Sequence, residues 1–134
     1  MAYTTTATTK GGREGRAMLD TGALALAMAP PKEMGGAGDG HNPEQLFALG
    51  YSACFGSALM LVARKHGVDG AKARVSAAVT LGQSDTGYDL SVELTVSVPG
   101  EDHAKVEAMV AEAHQICPYS KATRGNISVT PTVV

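Results

Sequence analysis

The sequence predicts an α+β domain, and three observations carry that expectation. Strand-prone segments at the N-terminus precede a long apolar stretch with helix punctuation. Two alternating segments joined by a short polar turn then read as a hairpin. A second helix-patterned segment and a last strand-prone one close the chain, so the order is strands, helix, hairpin, helix, strand. There is no internal repeat and no low-complexity tract. The whole of residues 1–134 is expected to form one domain.

Tyr3 to Thr9 is Thr-rich and strand-prone, and Gly11-Gly12 make a turn ahead of Arg13. Arg16 to Asp20 and Leu24 to Met28 are short strands separated by Thr21-Gly22. Ala29 to His41 carries Pro30, Pro31, Gly35, Gly36, Gly38 and Gly40, a loop composition.

Asn42 then opens the central helix. It suits the N-cap, Pro43 fits the first helical position, and Gln45 stands three after the cap, as a capping box requires. The helix is expected to run to His66 and stop at Gly67, with Arg64, Lys65 and His66 suiting its C-terminal dipole.

No charge occurs from Gln45 to Ala63, and the middle is apolar on every face, which implies burial all round. Leu46 to Ala63 is long enough to raise a membrane span, but Gly50, Ser52, Gly56 and Ser57 favour a buried central helix. One sheet and one further helix cannot cover every side of it. Gly50, Ala53, Cys54 and Ser57, at spacings of three and four, admit a close backbone. The same helix in a second copy is the economical cover, so a homodimer is expected.

Ala73 to Gln83 alternates, and Tyr88 to Val98 places Leu90, Val92, Leu94, Val96 and Val98 on one face, with Ser84 to Gly87 joining them. Asp102 caps a second helix whose Val106, Met109, Val110, Ala113 and Ile116 keep the 3.6 period. Pro118 ends it or starts a new short turn, and Asn126 to Val133 reads as a strand.

Composition narrows the function. Hydrophobic content of 44% with 18% charged residues is globular. A net charge of −2 and few aromatic residues exclude the basic, stacking surface of a nucleic-acid binder. MAYTTTATTKGGREGR lacks the apolar run of a signal peptide, so the cytosol is the expected compartment, where a permanent disulfide is unusual.

Two cysteines remain to be explained. Cys54 lies mid-way along the central helix, and Cys117 stands directly before Pro118. Their separation is wrong for a CxxC redox motif or half a zinc ribbon, but an attacking thiol and a partner that closes a disulfide with it need no such spacing.

A free thiol is only about 3% ionised at neutral pH, and burial lowers that fraction, so a reactive Cys54 needs a cation. Arg13 is the best candidate, with Glu44 at the helix start able to hold its guanidinium by a bidentate pair. Glu44 and Cys54 are about 15 Å apart along an unbroken helix. A long arginine, a break near Gly50, or groups drawn from two subunits would close the gap, and a site at the dimer interface is the favoured arrangement.

Plainer readings stand beside these. Cys54 serves as packing, Arg13 as a solvated loop residue, Glu44 as a helix-dipole residue, and Cys117-Pro118 as a helix terminus. His114 and Cys117, at i and i+3, would chelate a metal with His41, His66 or His103, but no second ligand pair has metal spacing and no metal is expected. No G-x-S-x-G elbow occurs, which disfavours a serine hydrolase. Thiol redox chemistry is the reading the residues favour.

NPEQLFALGYSACF at 42–55 and CPYSKATRGNI at 117–127 resemble the two signature segments of the organic hydroperoxide resistance (Ohr) proteins of the OsmC/Ohr superfamily. GGREG at 11–15 resembles that family's arginine-bearing loop. The resemblance covers essentially the whole chain, and its wording is nearer the Ohr branch than the OsmC branch.

It implies an OsmC/Ohr-like α+β fold with antiparallel sheets around two central helices, in an intertwined homodimer. Cys54 then matches the peroxidatic cysteine, which attacks an organic hydroperoxide and becomes a sulfenic acid. Cys117 matches the resolving cysteine that forms an intramolecular disulfide with it. Arg13 matches the arginine that stabilises the thiolate, and Glu44 the residue that positions this arginine.

Implied substrates are alkyl and fatty-acid hydroperoxides, with Met28, Met34, Phe47 and Phe55 as candidate wall residues whose plainer role is core packing. The implied reductant is a dithiol, typically a lipoyl group on a lipoylated protein, and no metal, flavin or haem is implied. His41 departs from the family, which more often has threonine before the asparagine. The competing functional class is a non-catalytic thiol sensor or ligand-binding module.

Overall fold

In the computed structural model, which describes residues 1–134, the N-terminal segment forms a three-stranded antiparallel meander. β1 (Ala7–Lys10), β2 (Arg16–Leu19) and β3 (Ala25–Ala27) lie in that order. Arg16 pairs with both Lys10 and Ala27, which places the Gly11–Gly15 turn at one end of the sheet. The loop after β3 holds a 3-10 turn at Lys32–Met34 and returns through a bridge between Met28 and His41. By its contacts the chain divides into two compact units, Met1–Leu46 and Phe47–Val134.

Helix α1 (Pro43–Lys65) begins in the first unit and supplies the core of the second. Its start is the expected capping box. Asn42 Oδ1 accepts from Gln45 N at 2.9 Å, and Gln45 Oε1 accepts from Asn42 N at 3.0 Å. Its end is a Schellman motif, with Val68 N donating to Ala63 O at 2.9 Å and Gly67 N to Arg64 O at 3.3 Å. The helix therefore stops one residue before the expected His66.

The second unit packs α1 and helix α2 (His103–Ile116) with a three-stranded sheet. β4 (Arg74–Ser84) and β5 (Gly87–Ser97) form the hairpin, and β6 (Pro131–Val133) adds at the edge. Val92, Leu94 and Val96 of β5, with Val98 just beyond it, are buried with Val106, Met109, Val110 and Ala113 of α2 and with Tyr51, Phe55, Leu59 and Val62 of α1. Burying each such side chain is worth about 1.5–3 kcal/mol, so this core holds the second unit together. Pro118 opens a further short helix, α3 (Pro118–Thr123), one of the two outcomes expected of it.

Three expectations are corrected. The last strand covers only Pro131–Val133, because Asn126 N and Ile127 N turn back to Thr123 O, both at 3.0 Å. It pairs parallel to β5, since α2 and α3 form a crossover that returns the chain in the same direction. Ile116, placed on the apolar period, is exposed. Apart from these, one face of α1 is left open by its own chain, as the reading of the sequence expects: Leu49 and Leu61 are 67% and 56% exposed, and Ala53, Ser57 and Met60 lie open between them.

By length and composition alone α1 also satisfies the requirement for a membrane span, although it carries the core of a globular unit.

Candidate active site

The arginine-bearing turn belongs to the N-terminal unit. Residues Gly12–Glu14 form a single 3-10 turn between β1 and β2, closed by Glu14 N donating to Gly11 O at 3.1 Å. Gly15 crosses tightly over Lys10: a Cβ there would sit 1.7 Å from the Lys10 carbonyl oxygen. Its own carbonyl accepts from Met28 N at 2.9 Å.

Arg13 is thereby directed onto the first turn of α1. Its Nη1 donates to Glu44 Oε2 at 2.9 Å and its Nη2 to Glu44 Oε1 at 2.7 Å, the bidentate fork expected for these residues. The hydrogen bonds from Arg13 hold the Glu44 carboxyl below its ordinary range against the opposing effect of burial, and Glu44 raises Arg13 in turn. In the same unit Met28 and Met34 line one cavity of about 460 Å³, with Glu14, Pro30 and Asp39 on its walls.

The thiols belong to the C-terminal unit. Cys54 is half-buried on α1, one turn beyond Tyr51. Cys117 is fully buried at the joint where α2 ends and α3 begins, with extended backbone (φ −62°, ψ 122°). Folding brings the two Sγ atoms to 3.6 Å, with both cysteines free. Burial pushes the Cys54 thiol up; the backbone N–H of Tyr119 opposes this, while the Cys117 sulfur reinforces it.

Aromatic rings pack between α1 and α3. Phe47, Tyr51 and Tyr119 form a triangle with centroids 5.7–6.2 Å apart. Gly50 makes room for the Tyr119 ring, since a Cβ at that position would lie 3.0 Å from the Tyr119 hydroxyl. Phe47 is partly buried against the core, whereas Phe55 lies wholly within it, its ring 6.4 Å from that of His114.

The structure thus brings together Arg13 with Glu44, Met28 with Met34, and Cys54 with Cys117. α1 is continuous through Gly50, so the break considered as a way to shorten the Glu44–Cys54 separation does not occur. No group of three or more His, Cys, Asp or Glu side chains converges as a metal site.

Sequence reasoning missed Tyr51, Ser120 and Thr123, and read His114 only as a ligand. Ser120 is fully buried and its Oγ lies 2.8 Å from His114 Nδ1 and 2.9 Å from the Tyr51 hydroxyl. The available signal was spacing: Tyr51 precedes Cys54 by three positions, and Ser120 follows Cys117 by three.

Comparison with known proteins is consistent across sequence and structure. The profile of the family described as OsmC-like protein matches residues 36–132. An organic hydroperoxide resistance protein of Xanthomonas axonopodis pv. citri is 49% identical over 133 residues, covering 98% of this chain and 94% of its own. The OhrA protein of Bacillus subtilis is 46% identical, covering 96% and 93%. Among solved structures, an organic hydroperoxide resistance protein from Legionella pneumophila superposes with a TM-score of 0.93 at 42% identity, over 99% of this chain and 98% of that one. With a family profile spanning most of its length and relatives of this identity covering nearly all of it, the chain belongs to the OsmC/Ohr family.

Proposed function

We propose that this chain is a thiol peroxidase that reduces organic hydroperoxides to alcohols. The observation that carries the reading is the approach of two free thiols to 3.6 Å across 63 positions of sequence, one half-exposed and one buried. Its family membership and the hydroperoxide-resistance names of its relatives support it.

In this reading the Cys54 thiolate attacks the terminal oxygen of ROOH. The O–O bond breaks, RO⁻ leaves and takes a proton as ROH, and Cys54 is left as the sulfenic acid. Cys117 then attacks that sulfur. An S–S bond forms, the S–O bond breaks, and the departing hydroxide leaves as water with the Cys117 proton. An external dithiol, typified by a lipoyl group on a protein, reduces the disulfide and becomes a disulfide itself.

Because burial opposes ionisation of Cys54, the thiolate needs a cation. Arg13, oriented by Glu44, supplies it in a homodimer whose site draws on both copies, and the open apolar stripe Leu49, Ala53, Met60, Leu61 is the surface the second copy covers. Met28, Met34 and Phe47 are the apolar groups assigned to the alkyl chain; Phe55, wholly within the core, keeps a packing role. No metal or organic cofactor enters the cycle. The protein acts as a single OsmC/Ohr-like domain of residues 1–134 in the cytoplasm.

The test is turnover of cumene hydroperoxide with dihydrolipoamide. Cys54→Ser is expected to abolish it, and survival of turnover in that variant overturns the reading. Cys117→Ser is expected to react once and accumulate sulfenic acid. Oxidation of the wild type without turnover would identify a sensor instead.

A further inference from the structure

We propose that His114, Ser120 and Tyr51 form a hydroxyl–imidazole clamp that sets the spacing of the two thiols and thereby the rate of disulfide closure. They are positioning residues: none touches a sulfur atom in a hydrogen bond. The inference rests on the thiol-peroxidase reading for its biological use, but not for its geometry.

Each member stands one helical turn from a cysteine. Tyr51 and Cys54 are i and i+3 on α1, Cys117 and Ser120 are i and i+3 across the start of α3, and His114 and Cys117 are i and i+3 at the end of α2. Two rungs therefore join α1 to α3. One is Tyr51 Oη···Ser120 Oγ at 2.9 Å, and the next is Cys54 Sγ···Cys117 Sγ at 3.6 Å. The hydroxyl rung fixes the register in which the thiol rung meets.

α3 is held against α1 by the Tyr119 ring, packed on Phe47, Tyr51 and Gly50, and by the buried hydroxyl of Ser120. At six residues it has no independent helical stability, so its position depends on what anchors it. Ser120 is gripped from α2 by His114 Nδ1 at 2.8 Å and from α1 by Tyr51. Thr123 Oγ1 lies 3.3 Å from the same tyrosine hydroxyl and donates to Ser120 O at 3.2 Å. Arg124 Nη2 donates to the His114 carbonyl at 2.6 Å, tying the far end of α3 to the last turn of α2.

A ring proton held on Nε2, the nitrogen left to hydrogen-bond the Val129 backbone, makes Nδ1 the acceptor; Ser120 O–H then donates to His114 Nδ1 and Tyr51 O–H to Ser120 Oγ. Apolar residues of equal volume would fill this space, but they would not fix the rotation of α3 about its axis. That rotation decides whether Cys117 Sγ faces Cys54.

Closure is measured in two ways on the full-length protein. With cumene hydroperoxide, mass spectrometry after dimedone trapping follows sulfenic acid, and loss of free thiol follows the disulfide. With the aromatic disulfide DTNB, Cys54 releases one thionitrobenzoate and carries the other, and Cys117 then displaces that second one as it closes the disulfide. Release of the second leaving group reports closure without any peroxide.

Ser120→Ala and Tyr51→Phe are expected to slow closure about tenfold or more in both assays, while formation of the Cys54 sulfenic acid stays within about threefold of wild type. Asn presents an acceptor where Nδ1 stands, so His114→Asn is expected to close near the wild-type rate, and His114→Ala is not. Closure at the wild-type rate in Ser120→Ala and Tyr51→Phe overturns the clamp, as does equal slowing of both steps. If Ser120→Ala fails to fold, Tyr51→Phe and the His114 pair decide alone. Wild-type protein that closes with DTNB yet ignores hydroperoxide would sink the peroxidase reading and leave the clamp standing.

Discussion

Replacing Gly15 by alanine tests whether the arginine turn is as constrained as its geometry implies. The new Cβ would meet Lys10 O at 1.7 Å, Lys10 C at 2.7 Å and Gly11 Cα at 2.8 Å. All three are backbone atoms, so no rotamer change relieves the clash. An ordinary contact needs roughly 3.5 Å, and the turn must open by well over an ångström.

Overpacking of this kind costs typically about 1–3 kcal/mol, and a backbone obstacle places Gly15→Ala near the upper figure. Displacing Arg13 also loses its fork onto Glu44, which, partly solvated, adds at most about 1 kcal/mol. For a chain of this length, about 3 kcal/mol corresponds to a fall in melting temperature of about 10 °C.

Gly12→Ala is the control. Its Cβ would meet nothing, and only the left-handed backbone at φ +55° is unfavourable, costing about 1 kcal/mol. Differential scanning calorimetry reads the stabilities, and single-turnover oxidation of Cys54 reads the placement of Arg13. Gly15→Ala should lose both stability and oxidation rate, and Gly12→Ala should lose little of the second. A Gly15→Ala protein as stable and as fast as Gly12→Ala would refute the reasoning.

Two further outcomes are expected. Leu61→Glu, on the open stripe of α1, should convert the proposed dimer to monomers in sedimentation velocity, and an unchanged sedimentation coefficient would remove this face from the proposed interface. His114 is held below its ordinary pKa of 6.5 by burial first and by the Arg124 cation second, so the unfolded chain takes up a proton that the folded one resists. Its contribution to stability is therefore complete above about pH 6.5 and is lost as the pH falls toward the folded value. Urea denaturation across that window should show the loss, and His114→Asn should flatten it; an identical slope in the variant would exclude His114 as its source.

Elements specified by local chemistry were legible in the sequence. The reciprocal Asn42–Gln45 bonds, the stop at Gly67, the Ser84–Gly87 hairpin and the Asp102 cap all follow from residues within five positions of one another. The fork between Arg13 and Glu44 was also anticipated, from the match of a guanidinium to a carboxylate at the helix start.

What escaped depends on tertiary partners. Asn126–Val133 was read as a strand throughout, but β5 offers a ladder only to its last three residues, Pro131–Val133. Ile116 keeps the helical period yet lies beyond the reach of the core. Ser120 looks like an ordinary polar residue of a short helix until α1 and α2 close over it. Likewise, no local rule relates two cysteines separated by 63 positions; family resemblance implied their pairing, and only the packing of α1 against the α2–α3 joint makes them neighbours.

That neighbourhood has a thermodynamic consequence. Joining residues 63 positions apart removes about 4 kcal/mol of chain entropy from the unfolded ensemble, while the folded state has already brought the sulfurs within 3.6 Å. Once oxidised, the protein gains equilibrium resistance to unfolding without any new packing. In the proposed cycle the oxidised molecule is thus the more durable form. Reduction returns it to a looser one, so the melting temperature becomes a record of redox history.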